Sequence, residues 1–143
     1  MELELTRILA AGTFGWVCVV TDRQTSQVLA AKVLKLEHVS NPKVVARMRD
    51  EARLLGNLDH PNIVRVFGME EIGGRPVLML EYVNGAPLDA LLQSLPDGLP
   101  APEALEVMRQ THAALHEAWR MPAKETGLPM RVIHRDLKPG NLM

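Results

Sequence analysis

The sequence predicts an α+β fold: a five-stranded antiparallel sheet carrying one helix, followed by the first helices of a helical region. Three observations carry this expectation. Short apolar runs divided by glycine- or Asx-bearing turns fill residues up to about 83, and a proline-initiated helical pattern interrupts them once. Beyond about residue 84 the strand pattern gives way to apolar spacings of three and four. The predicted organisation is thus a sheet-bearing region, about 1–83, and the start of a helical region, about 84–143.

Leu3 to Leu9 reads as the first strand, Ala10-Ala11-Gly12-Thr13-Phe14-Gly15 as a turn, and Trp16 to Val20 as the strand that returns. A polar turn from Asp22 to Gln27 leads to a third strand, Val28 to Leu34, apolar except for Lys32. Asn41-Pro42 then offers an N-cap with proline in the first helical position. Val45, Met48, Ala52 and Leu55 follow on one face, predicting a helix from about Pro42 to Asn57. Lys43, Arg47, Arg49 and Arg53 fall on its other side and read as solvated surface rather than an anion site. After the helix breaker His60-Pro61-Asn62, Ile63 to Glu71 and Pro76 to Tyr82 form a hairpin about Gly73-Gly74. Asn84-Gly85 is a connection and Leu88 to Leu95 a short helix, closed by Pro96-Asp97-Gly98. Leu105, Met108, His112, Leu115 and Trp119 mark an amphipathic helix from Pro102 to about Arg120, with His112 read as a packed core histidine. Met121 to Met130 is a loop and Arg131-Val132-Ile133 is strand-like.

At 143 residues the chain makes one modest domain with a real core. A net charge of -1 supplies no footprint for nucleic acid, and an aromatic share of 3% leaves few stacking platforms, so no nucleic-acid partner is expected. The core must be packed from Leu, Val, Ala and Met. Cys18, in the run Trp16 to Val20, is the single cysteine and is expected to be a buried strand thiol. Met1-Glu2-Leu3-Glu4 lacks the pattern of a secretory leader, and no stretch has the roughly 18 apolar residues of a membrane span. A cytoplasmic location with no membrane contact is the expectation.

The most informative segment is His134-Arg135-Asp136-Leu137-Lys138-Pro139-Gly140-Asn141. Asp136 offers a carboxylate that can orient a hydroxyl and accept its proton. Lys138 offers an ammonium suited to a transferring phosphoryl group, and the Asn141 amide oxygen suits a hard cation such as magnesium. The same residue types also make good turns. A strand lysine and a helical glutamate such as Glu51 are, singly, usually surface charges. Their order along the chain is what narrows the reading: glycine-bearing hairpin tip, strand lysine, helix glutamate, apolar hairpin, helix, then the His-Arg-Asp loop.

In this order the chain resembles the amino-terminal half of a Ser/Thr protein kinase domain, from about Leu5 to Met143. The resemblance implies a protein-kinase-like fold, with ATP and Mg2+ as cofactors and a protein Ser or Thr hydroxyl as acceptor. It implies that Gly12 and Gly15 belong to the nucleotide loop and Phe14 caps it, that Val17 and Ala30 line the adenine site, and that Leu9 and Thr13 also bind the nucleotide. Lys32 would hold phosphates and pair with Glu51. Leu80 would be the gatekeeper, with Glu81, Tyr82 and Val83 as the hinge and Met143 as the floor of the adenine pocket. Asp136 would be the catalytic base, Lys138 the phosphate contact and Asn141 the metal ligand. Leu55, Val66 and His134 match three members of the family's apolar column, and Met121 to Met130 resembles an insertion of bacterial members.

Two departures stand out. Ala10 replaces the first glycine of the family's loop, which should weaken nucleotide binding without abolishing it. The 143 residues hold no counterpart of the Asp-Phe-Gly and Ala-Pro-Glu motifs, so negligible turnover by this polypeptide is expected. The face bearing Leu105, Met108, Leu115 and Trp119 should also lack packing partners, favouring association. The alternative is a non-catalytic nucleotide- or partner-binding module. A small-molecule phosphotransferase of the aminoglycoside-kinase type shares the fold, but Arg135 and Leu137-Lys138-Pro139 disfavour it.

Overall fold

Thirteen of the fourteen buried apolar side chains among the described residues belong to a five-stranded sheet and the helix and turn beside it. The computed structural model describes residues 2–123 and 126–143. They divide into two compact units: one runs up to Asp59 and includes Val64–Tyr82, the other comprises His60–Ile63 and Val83–Met143.

In the first unit the elements are β1 (Leu3–Ala11), β2 (Gly15–Asp22), β3 (Val28–Leu34), α1 (Leu36–Val39), α2 (Pro42–Leu55), β4 (Val66–Ile72) and β5 (Arg75–Glu81). The strands lie in the order β1-β2-β3-β5-β4, each neighbour antiparallel. Side chains alternate across the sheet, which is why both faces are apolar in the central strands. One face gathers Cys18, Val20, Leu29, Ala31, Val77 and Met79. The other gathers Leu34, Val66 and Leu78 with Met48 of α2, and Val45, Ala52 and Leu55 pack against that cluster. The four residues expected to line the inner face of this helix therefore do so, whereas Lys43, Arg47, Arg49 and Arg53 are exposed.

Local chemistry sets the boundaries. The Asn41 Oδ1 accepts the Lys43 N–H at 3.1 Å and Pro42 opens α2, as the cap pattern predicts. Gly73 and Gly74 both have positive φ, 58° and 73°, which the two-residue hairpin between Ile72 and Arg75 requires. The Asp22 carboxylate is buried and satisfied by the Gln24 N–H and the Thr25 hydroxyl, both at 3.0 Å, which closes the polar turn before β3.

Two expectations for this unit need correction. The strand expected from Ile63 starts at Val66, because the Ile63 N–H turns back to the His60 carbonyl and the Arg65 N–H donates to the Glu81 carboxylate. A four-residue helix, α1, stands where no element is expected, being too short to show periodicity.

The second unit contains α3 (Leu88–Gln93), α4 (Ala101–Arg120) and a 3-10 turn, Pro139–Asn141. Arg131 to Ile133 is not a strand. The Arg131 and Val132 N–H groups donate instead to the Trp119 and Ala118 carbonyls, satisfying the open C-terminal end of α4, and Arg131 has a positive φ of 52°. The expected loop from Met121 to Met130 is closed by an isolated bridge between Pro122 and Pro129; its Lys124 and Glu125 lie outside the described residues. His112 is exposed rather than core, and Leu105 and Met108 are 65% and 66% exposed. The apolar arc of α4 is wider than one face. Ala118 is buried and Ala104, Val107 and Leu115 are half-buried, so the packed arc sits one position round from Leu105, Met108, His112 and Trp119. No helix among the described residues is long and apolar enough to cross a membrane.

Candidate functional site

Lys32 sits in the middle of the central strand β3, opposite Val17 of β2 and Leu78 of β5. Directly opposed residues of an antiparallel pair share a face, so Val17, Lys32 and Leu78 form one row and Val19, Ala30 and Leu80 the next. The sheet thereby places the expected adenine-lining residues Val17, Ala30 and Leu80 on the face that also carries Lys32. That is the face α2 covers. Glu51 of α2 meets the lysine with both carboxylate oxygens, Nζ to Oε1 at 2.7 Å and to Oε2 at 2.9 Å. Both side chains remain over a third exposed, which suits a pair that orients an ammonium for a third group rather than sealing it away.

The hairpin tip between β1 and β2 is held by the Gly12 N–H, which donates to the Gly15 carbonyl at 2.8 Å. Gly15 is sterically compelled: a Cβ there would lie 2.1 Å from the Val33 carbonyl oxygen of β3. Gly12 has no such constraint, its nearest neighbour to an added Cβ being the Gly15 oxygen at 3.7 Å. Leu9 lies at a register shift of the β1 and β2 pairing, between Ile8 and Ala10, and is exposed. Thr13 and Phe14 are exposed at the tip. At the end of β5 the Glu81 N–H donates to the Arg65 carbonyl at 2.8 Å, and Tyr82 accepts a hydrogen bond from the Arg7 guanidinium of β1. That Arg7 contact was invisible in the sequence, because the two residues are 75 positions apart.

In the second unit the three residues expected from the His-Arg-Asp segment come together. Lys138 Nζ lies 3.0 Å from the Asp136 Oδ2, and the Asn141 amide donates to the same oxygen at 3.1 Å and to the Asp136 carbonyl at 2.7 Å. The Lys138 hydrogen bond, then that of Asn141, holds the Asp136 carboxyl below its ordinary value, so it is ionised at neutral pH. With its nitrogen turned to the carboxylate, Asn141 keeps its amide oxygen for another partner. The segment turns on itself at its start and is tied to α3 just past its end. The Asp136 N–H donates to His134 Nδ1 at 3.3 Å, and the Leu88 N–H of α3 donates to the Leu142 carbonyl at 2.8 Å. Arg135 takes a positive φ of 64°, an uncommon conformation for a side-chain-bearing residue that turns the chain between His134 and Asp136. Val83 accepts from the Gly85 N–H at 3.0 Å, and Met143 is exposed.

A bidentate lysine–glutamate pair on a five-stranded sheet, followed by an aspartate held by a lysine and an asparagine, defines the class of protein-kinase-like folds. Comparison gives the family: residues 3–143 match the protein kinase domain, and the chain belongs to that family. It is similar to the serine/threonine-protein kinase PknA of Mycobacterium tuberculosis, 36% identical over 97% of this chain and 31% of PknA. It is also similar to the serine/threonine-protein kinase PrkC of Bacillus subtilis, 28% identical over 98% of this chain and 20% of PrkC. Among solved structures, a mutant PknI kinase domain from M. tuberculosis superimposes with a TM-score of 0.74 at 25% identity, over 97% of this chain and 53% of that one. The chain thus spans about a third or less of these curated relatives and about half of a solved kinase domain.

Proposed function

We propose that the chain is the nucleotide-binding and catalytic-loop part of a serine/threonine protein kinase, which moves the terminal phosphoryl group of ATP to a protein hydroxyl. The observation that carries this reading is the Asp136, Lys138 and Asn141 cluster. An ionised, solvent-reachable carboxylate at Asp136 receives the proton of the Ser or Thr hydroxyl as its oxygen bonds to phosphorus and the bond from phosphorus to the ADP oxygen breaks. Lys138 balances the negative charge on the moving group. Lys32, aimed by Glu51, draws the nucleotide's phosphates to the sheet, Val17, Ala30 and Leu80 offer apolar contact to adenine, and the backbone of Glu81 to Val83 offers its polar edge. Leu9, Gly12, Thr13, Phe14 and Gly15 cover the phosphates, and Met143 contributes to the adenine floor.

A divalent cation, magnesium in this reading, would neutralise phosphate charge when bound. The donor set fits it in part. The Asn141 oxygen is suited to a hard cation, whereas the Asp136 carboxylate is already paired with Lys138. Among the described residues no group of three His, Cys, Asp or Glu side chains could hold a metal, so the rest of the shell would come from other groups, phosphate oxygens among them. The pairing of the Asp136 carboxylate with Lys138 favours a second reading, a module that binds nucleotide or partner without catalysis.

The test is calorimetric ATP binding together with transfer of labelled terminal phosphate to a Ser- and Thr-bearing protein. Binding without transfer supports the second reading. Transfer abolished by Asp136→Asn, with ATP affinity retained, supports the first, and absence of ATP binding refutes both nucleotide readings.

A further inference from the structure

The hairpin tip that carries Gly12 to Gly15 is anchored sideways, by residues that the family's nucleotide motif does not include. The His38 Nε2 of α1 lies 3.2 Å from the Thr13 carbonyl oxygen. A carbonyl only accepts, so the ring nitrogen is the donor. The same imidazole meets the Phe14 ring at 5.2 Å between centroids, tilted by 56°. One residue earlier than α1, the Lys35 N–H donates to the Phe14 carbonyl at 3.0 Å. The ring is itself well placed to hold still. Its side chain is 23% exposed, its Nε2 also lies 3.5 Å from the Glu37 carboxylate, and its backbone N–H is bonded to the Lys35 carbonyl at 2.9 Å.

These contacts turn two successive carbonyls, those of Thr13 and Phe14, toward α1. The described chain contains no cis peptide bond, and in a trans peptide the N–H points opposite to the C=O. The amides that follow, of Phe14 and Gly15, are therefore sent to the side away from α1. Successive backbone N–H groups directed to one side make an anion-binding concavity. We propose that His38 is a positioning residue for nucleotide binding: by holding the Thr13 carbonyl and the Phe14 ring, it presents the Phe14 and Gly15 amides to the phosphates of a nucleoside di- or triphosphate. This rests on the nucleotide reading above and adds to it a residue outside the loop. His38 acts on the phosphates only, since its contacts are with the tip and not with the row of Val17, Ala30 and Leu80.

The test compares ATP with adenosine, which lacks the phosphates, as calorimetric ligands of the 143-residue chain. For His38→Ala, ATP affinity falls about three- to tenfold, the effect of one hydrogen bond of ordinary net strength, and adenosine affinity is unchanged. His38→Gln keeps an N–H donor of similar reach and restores most of the loss. His38→Phe keeps a ring and no donor, and falls with the alanine variant. Because the Gln and Phe variants are close to His in bulk, their difference decides the matter even if the alanine variant folds poorly. Equal losses for ATP and adenosine, or an ATP affinity indifferent to all three substitutions, overturn the proposal and leave the nucleotide reading standing. A wild-type chain that binds neither ligand overturns both.

Discussion

The two units of this chain bury their apolar residues to very different extents. Leu78, in the fourth-placed strand of the sheet, is 0% exposed, whereas Leu105 on α4 is 65% exposed, and Ala118 is the one buried apolar residue of the second unit among those described. The central strands bury residues on both faces of the sheet, one of them beneath α2, although β1 is largely exposed, while α4 offers an apolar arc wider than its unit covers. Apolar periodicity therefore identifies an element without saying how much of it will be buried. Stability should reside in the first unit, which holds the buried core, although both units expose large apolar side chains.

The largest expected effect sharpens this contrast directly. Leu78→Ala removes a fully enclosed side chain between Leu34, Met48 and Val66 and should cost about 2–5 kcal/mol, read from urea unfolding of the chain. Leu105→Ala should change stability by about 0.5 kcal/mol or less, because so little of the side chain is enclosed. Similar costs at the two positions would break the comparison.

Gly15→Ala comes next. The added methyl would stand 2.1 Å from a backbone oxygen of β3, which no side-chain rotation relieves, so the β2 and β3 ends must separate. A loss of about 1–3 kcal/mol is expected, with reduced amide protection in β2 and β3. Gly12→Ala meets only an ordinary contact and should be much milder. Smaller still is Asn41→Ala, which removes the acceptor for the Lys43 N–H and should cost about 1 kcal/mol in the same unfolding measurement.

These positions also show how far the residues alone carry the fold. All five strands, α2 and its cap follow from alternation, turn glycines and the Asn41-Pro42 pair, because those features act over a few residues. The Lys32 and Glu51 pair followed from chain order and the family resemblance. What escaped is tertiary. The α1 turn is shorter than any period, so His38 had no sequence signal tying it to Thr13, 25 residues away. Val132 and Ile133 have the β-branched character of a strand, yet the N–H groups of Arg131 and Val132 are taken by the end of α4. His112 failed for the reason that opens this comparison, an apolar arc only partly covered.

The pH response carries the contrast to the level of single charges, and the two shifted carboxylates among the described residues both lie in the second unit. Glu106 of α4 is lowered from 4.5 to about 2, chiefly by its hydrogen bond from Arg109 and then by that of Gln110. Asp136 is lowered from 3.8, chiefly by Lys138 and then by Asn141. In each case the folded carboxyl is the stronger acid. Its favourable contacts are therefore fully present above the unfolded value and are lost as pH falls through the folded one. NMR titration should place the Glu106 transition near 2 and return it toward 4.5 in Arg109→Ala. Lys138→Met should raise the Asp136 transition toward 3.8. Both carboxylates are exposed, so raising the salt concentration should shrink both displacements. An Asp136 transition indifferent to Lys138→Met would sever the ion pair from the ionisation of the proposed base.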